Sequence, residues 1–229
     1  MRTKSTKVLV FNGWAARNEI WSLTTFPRDQ IFNYLEELDG LPERVIADLD
    51  EVVLVGFSMG SQIALKMFLK FWTKVRALVL ISATPRMMRD ANWHGFSPRR
   101  LEALRLGTRK VYLGDPSPLY DINNLDRGIE HLLATDLRNE LETLVAEHHE
   151  ARKIPVEIIH SERDGIVSPY NVEYFRSLFP QATVTMVPGS EHVLPLIAPA
   201  EIDAALARVL RPERHDGVDF QKTPKYGII

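Results

Sequence analysis

The chain has 229 residues, no cysteine and a formal net charge of −2. That length suits one α/β domain with a sizeable core; the missing thiols exclude disulfides, Cys-ligated metal and a thiol nucleophile, and the small charge gives no reason to expect nucleic acid or a membrane surface as partner. No apolar run approaches the ~18 residues of a membrane span, and Val8 to Phe11, behind Arg2, Lys4 and Lys7, is too short for a signal peptide, so a soluble cytoplasmic protein is expected.

Lys7–Phe11 reads as a first buried strand, and residues 31–35 fit either a strand or a helix. Val52–Phe57 is an unbroken apolar run rich in β-branched residues, as expected of a parallel strand covered on both faces, and a helical pattern follows over residues 61–72. Another strand is expected at 77–82. From 85 to 152 the alternation stops: there is no convincing strand, several helical patterns recur, and turn signals stand at Gly107, Gly114-Asp115-Pro116-Ser117-Pro118 and Gly128. About 65 residues inserted between two sheet strands read as a helical cap over the strand ends. Strands at 156–160 and Thr183–Val187 then alternate with helices at 172–178 and 201–210. The remainder, with Pro212, Gly217, Pro224 and Gly227, lacks periodicity and reads as a loosely packed tail. The expected fold is α/β, a mostly parallel doubly wound sheet. Its core comprises residues 1–84 and 153–211, with a cap at 85–152 and a tail at 212–229.

The junction after Val52–Phe57 carries the chemistry. Gly56-Phe57-Ser58-Met59-Gly60 is a G-x-S-x-G nucleophile elbow between a buried strand and a helix, the context that motif requires. A bare Gly-Ser-Gly turn would mean little; strand before and helix after make Ser58 the candidate nucleophile. Its base needs an orienting carboxylate. The strand at 156–160 runs into Ser161-Glu162-Arg163-Asp164-Gly165, which offers Asp164 and, nearer the strand, Glu162. Thr183–Val187 leads into Pro188-Gly189-Ser190-Glu191-His192, which puts His192 on a loop before the last helix. Two backbone donors would hold an oxyanion: the amide of Met59, which follows the nucleophile, and one from the loop Phe11-Asn12-Gly13-Trp14, with Trp14 either that donor or simply a core residue. His148-His149 lacks metal-ligand spacing and reads as a solvated helix face, and His94 and His131 have no partner pattern. Nothing indicates a metal or cofactor.

These motifs resemble the α/β-hydrolase superfamily over roughly 200 residues. Within it the chain is similar to the pimeloyl-[acyl-carrier protein] methyl ester esterases of biotin synthesis, through Asn12-Gly13-Trp14 with Trp21, the Gly56–Gly60 elbow, and Trp93-His94-Gly95-Phe96-Ser97-Pro98. The resemblance implies a triad of Ser58, Asp164 (at the family's acid position) and His192, an oxyanion hole at Met59 and Trp14, and a methyl ester delivered by acyl carrier protein. Departures are Asn12, where many members have His, and an N-terminus trimmed of two leading strands. A different small-molecule carboxylesterase, an acyl thioesterase or a non-catalytic binding module on the same fold are the alternatives.

Residues 86–110 are basic, and Arg99, Arg100, Arg105 and Arg109 would share broadly one side of a helix. This edge would suit an acidic carrier protein, unless it is no more than a solvated helix face.

Overall fold

The structure, a computed structural model, describes residues 6–114 and 122–211. Six strands form one all-parallel sheet: β1 (Lys7–Phe11), β2 (Gln30–Phe32), β3 (Val52–Phe57), β4 (Val75–Ile81), β5 (Val156–Ser161) and β6 (Thr183–Val187), in the order β2-β1-β3-β4-β5-β6. The helices are α1 (Tyr34–Leu38), α2 (Leu41–Ala47), α3 (Met59–Phe71), α4 (Pro98–Gly114), α5 (Ile122–Ala134), α6 (Arg138–Glu147), α7 (His149–Arg152), α8 (Tyr170–Leu178), α9 (Leu194–Ile197) and α10 (Pro199–Leu210).

Strand periodicity divides the core in two. Leu9, Leu54, Leu78 and Ile158 face the layer containing α3 and α8, whereas Val10, Val53, Val79 and Ile159 face the layer containing α9 and α10. Both faces are covered, which is why these strands read as continuous apolar runs. Glu157, on the α10 side of β5, is buried but satisfied by a two-point pair with Arg208 of α10, at 2.9 and 2.7 Å.

Several expectations change at their edges. The ambiguous stretch at 31–35 is both structures in succession. β2 ends at Phe32, and Asn33 then caps α1 by accepting from the amides of Leu35 and Glu36, while Glu36 accepts from the Asn33 amide. The helix behind the elbow starts at Met59, two residues earlier than its pattern suggested. α2 was missed because its seven residues show too little periodicity.

Gly107 and Gly128, read as turns, lie inside α4 and α5. At Gly128 the reason is packing, since a Cβ there would stand 2.5 Å from the Trp14 ring. At Gly107 a Cβ would meet nothing within 4 Å. The Asp115–Pro118 turn signals and the 212–229 tail lie outside the described residues. Among the described residues, no helix is long and apolar enough to cross a membrane.

Candidate active site

Chain direction across the sheet reverses between β1 and β3, because β2 lies on one side of β1 and β3 on the other. Open parallel sheets bind ligands at the carboxyl ends of strands at such a reversal. The loops after β1 and β3 carry Trp14 and Ser58. Among the described residues, three other than glycine have positive φ: Ala15 (58°), Ser58 (53°) and Ser82 (45°), just beyond β1, β3 and β4. Backbone strain of this kind persists only where surrounding contacts over-determine it.

At Ser58 those contacts are explicit. Its amide donates to the Ile81 carbonyl at 2.9 Å, and its carbonyl accepts from the amide and hydroxyl of Ser61 at 2.9 and 2.5 Å. The turn closes because its two glycines have no side chain. A Cβ on Gly60 would lie 2.1 Å from the Phe11 carbonyl oxygen, and one on Gly56 would lie 2.5 Å from Ser61 Cα. The Ser58 side chain therefore stands above the sheet edge, ahead of α3.

His192 Nε2 lies 2.9 Å from Ser58 Oγ, and His192 Nδ1 lies 2.8 Å from Asp164 Oδ2. The histidine loop is pinned by carbonyls on either side of the ring. Ser82 Oγ and the Leu194 amide donate to the His192 carbonyl, and Ser161 Oγ donates to that of Glu191. Asp164 Oδ1 accepts from the amides of Ile166 and Val167 at 2.8 and 3.0 Å. Burial would push the Asp164 carboxyl up, but the bond to His192, the charge of His192 and the two amides outweigh it, so the group sits below its usual range. Glu162 is exposed, and the carboxylate bonded to His192 Nδ1 is that of Asp164. A carboxylate held charged, an imidazole fixed by it and a hydroxyl at the other ring nitrogen can move a proton off Ser58.

A cavity of about 460 Å³ opens beside Ser58, lined by Trp14, Ile20, Met87, Leu104, Leu132 and Val193 among others, and none of its described lining residues carries a fixed charge. Its roof comes from α4 and α5, and α5 is tied to the β1 loop by the Trp14 indole donating to the Leu125 carbonyl at 2.8 Å. Asn12, where many family members have His, is fully buried. It accepts from the Trp21 indole at 2.6 Å and donates to Asn18 at 2.9 Å, so it braces the loop from beneath.

The four arginines differ in what they do. Arg105 is paired with Glu102 and Asp126. Arg100 donates to the Gly165 carbonyl at 2.8 Å and lies over the Phe96 ring, linking α4 to the loop that bears Asp164. Arg99 is exposed, and the Arg109 side chain is outside the described residues. Ser82, Ser161 and the Arg100–Gly165 link were not evident from sequence, because each acts through a backbone carbonyl and leaves no motif. His131, assigned no partner from sequence, is buried with Nδ1 3.4 Å from Lys66 Nζ. Among the described residues no cluster of His, Cys, Asp or Glu is arranged to hold a metal ion.

Comparison with known proteins agrees with this architecture. The family model described as "Alpha/beta hydrolase family" matches residues 14–205. Curated relatives include a pimeloyl-[acyl-carrier protein] methyl ester esterase of Nitrosospira multiformis, 24% identical over 89% of this chain and 94% of the relative. The enzyme of the same name from Pseudoalteromonas atlantica is 24% identical over 84% and 89%. Similar solved structures include a hydrolase from Oleispira antarctica (TM-score 0.67, 19% identity, 90% of each chain). Another is an esterase from Exiguobacterium antarcticum (TM-score 0.67, 17% identity, covering 90% of this chain and 92% of that one). With a family match across most of its length and an all-parallel sheet that carries a strained serine elbow, this chain belongs to the alpha/beta hydrolase family.

Proposed function

We propose that the protein is a serine carboxylesterase acting on the methyl ester of a pimeloyl group carried by acyl carrier protein. The observation that carries the esterase reading is the unbroken line of hydrogen bonds from Ser58 through His192 to Asp164 at the mouth of an apolar cavity. Ser58 Oγ attacks the ester carbonyl carbon as His192 Nε2 takes its proton, and the carbonyl π electrons move onto oxygen. The amides of Met59 and Trp14 hold that oxyanion. Collapse breaks the bond to the methoxy oxygen, which takes the proton from His192 and leaves as methanol. Water then attacks the acyl-Ser58 carbonyl with His192 again accepting a proton; Ser58 leaves, recovers it, and the free carboxylate is released. Asp164 orients the imidazole and stabilises its charged form throughout.

The substrate assignment rests on the resemblance, on the names of the relatives and on the lining of the cavity. A methyl ester at one end and a carrier thioester at the other leave the acyl chain uncharged, which suits the described walls without fixed charge. Among the described lining residues the product carboxylate finds no fixed cation, which favours its departure. An acidic carrier would be met by exposed Arg99, whereas Arg105 already has its carboxylates. In this reading the biotin pathway is the setting, and α4 to α7 form the cap.

The test is methanol release from methyl-pimeloyl carrier protein, compared with cleavage of a short nitrophenyl ester, at low and high salt. Rapid, salt-sensitive demethylation beside salt-insensitive cleavage of the small ester is expected. Cleavage of the nitrophenyl ester alone would keep the esterase and remove the carrier-borne substrate.

A further inference from the structure

β5 delivers a second histidine to the acid loop. His160 has 1% of its surface exposed. Its Nε2 lies 3.0 Å from the Val167 carbonyl oxygen, which can only accept, so Nε2 carries the proton. Nδ1 is then a bare lone pair, buried and without a partner among the described residues. An apolar side chain would avoid that burial cost, so the reason for a histidine lies with its other nitrogen. The same Nε2 stands 3.9 Å from Asp164 Oδ2, the oxygen that accepts the hydrogen bond from His192 Nδ1.

Val167 connects the two. Its amide donates to Asp164 Oδ1 at 3.0 Å, while its carbonyl accepts from His160. The turn from Ser161 to Val167 is thus closed from within the sheet, with Asp164 held at one end and His160 at the other.

We propose that His160 is a positioning residue for the reaction. Its uncharged ring clamps Val167 and so fixes the Asp164 carboxylate in line with His192. The proposal rests on reading Ser58, His192 and Asp164 as the reacting assembly. Burial pushes the His160 imidazole down, against the opposing effects of the Val167 carbonyl and the Asp164 charge, with His192 lowering it further. A neutral ring suits the role, because an imidazolium this close to Oδ2 would compete with His192 for the carboxylate.

His160→Gln and His160→Met test it as a pair of similar length, since only the amide can donate to Val167. The readouts are kcat and KM on a short nitrophenyl ester, and the far-downfield proton resonance of the His192 Nδ1–H bound to Asp164. In His160→Met, kcat should fall ~10- to 100-fold with KM within about threefold, as expected of misplacement on the ångström scale, and the resonance should broaden or vanish. His160→Gln should retain the resonance and recover most of kcat. Equal kcat and equal resonance in the two variants would overturn the proposal. Should His160→Met not fold, His160→Gln decides alone: a retained resonance supports the clamp, and its loss in a folded protein refutes it. A wild-type enzyme that cleaves no ester would defeat the proposed function, while the resonance comparison would still decide the role of His160.

Discussion

Asp164 and Glu162 stand two residues apart in one turn, and burial separates them. Asp164 is 6% exposed and accepts two amides and the His192 ring, whereas Glu162 points to solvent. The sequence named both and favoured Asp164 through Glu162's nearness to the strand together with the family position, not through burial, because the direction of a side chain in a short turn depends on tertiary bonds. Asp164→Asn keeps the shape but presents an amide whose N–H cannot accept the His192 proton, which favours the wrong tautomer. We expect kcat on a nitrophenyl ester to fall ~10⁴-fold with the thermal midpoint little changed, and Glu162→Gln to leave kcat within about twofold. A comparable loss in Glu162→Gln would reverse the assignment.

At the scale of elements, the two helical glycines distinguish packing from access. Gly128 lets α5 lie against Trp14, while Gly107 lines the cavity at its exposed rim with open space where a Cβ would stand. Gly107→Leu should therefore fold at least as well as wild type, since glycine inside a helix costs about 1 kcal/mol. It should also narrow the mouth: kcat/KM for nitrophenyl octanoate is expected to drop ~10-fold or more while the acetate stays within about twofold. An unchanged octanoate-to-acetate ratio would remove Gly107 from the path of the acyl chain.

The docking of α5 also has a pH signature. Burial first, and the Lys66 charge second, push His131 down to about 3. Tyr34 meets the ring edge-on from α1, and Lys66 is itself paired with Glu37. The unfolded chain takes up this proton near pH 6.5, whereas the folded one does so only near 3, so stability falls as pH drops through that window. His131→Phe should flatten the fall in thermal midpoint between pH 6.5 and 4, and an unchanged slope would contradict this.

Across the whole molecule, what could be read in advance was whatever leaves a local pattern. β1 and β3 matched to the residue because both of their faces are buried and their apolar runs end at turn residues. β6, an edge strand with Thr183 and Met186 exposed, matched through its β-branched residues and the Pro188-Gly189 that stops them. The Ser58 elbow was legible because two glycines are needed where backbones pass within van der Waals contact. The carbonyl contacts of Ser82, Ser161, Arg100 and His160 were not legible, since any residue supplies the acceptor and only the fold brings it near. Charge patterning misled in a related way. The arginines of α4 look like a free basic edge in one dimension, yet Arg105 finds Asp126 on α5 and Arg100 finds Gly165 beyond β5.

The most direct test of the central claim, that Ser58 becomes acylated by an ester, is a rapid-mixing experiment with a nitrophenyl ester followed by peptide mass analysis of the acid-quenched protein. A burst of nitrophenol stoichiometric with enzyme, with the acyl mass on the peptide containing Ser58 and neither burst nor adduct in Ser58→Ala, is predicted. Turnover that persists in Ser58→Ala, or an acyl group found on another residue, would contradict it.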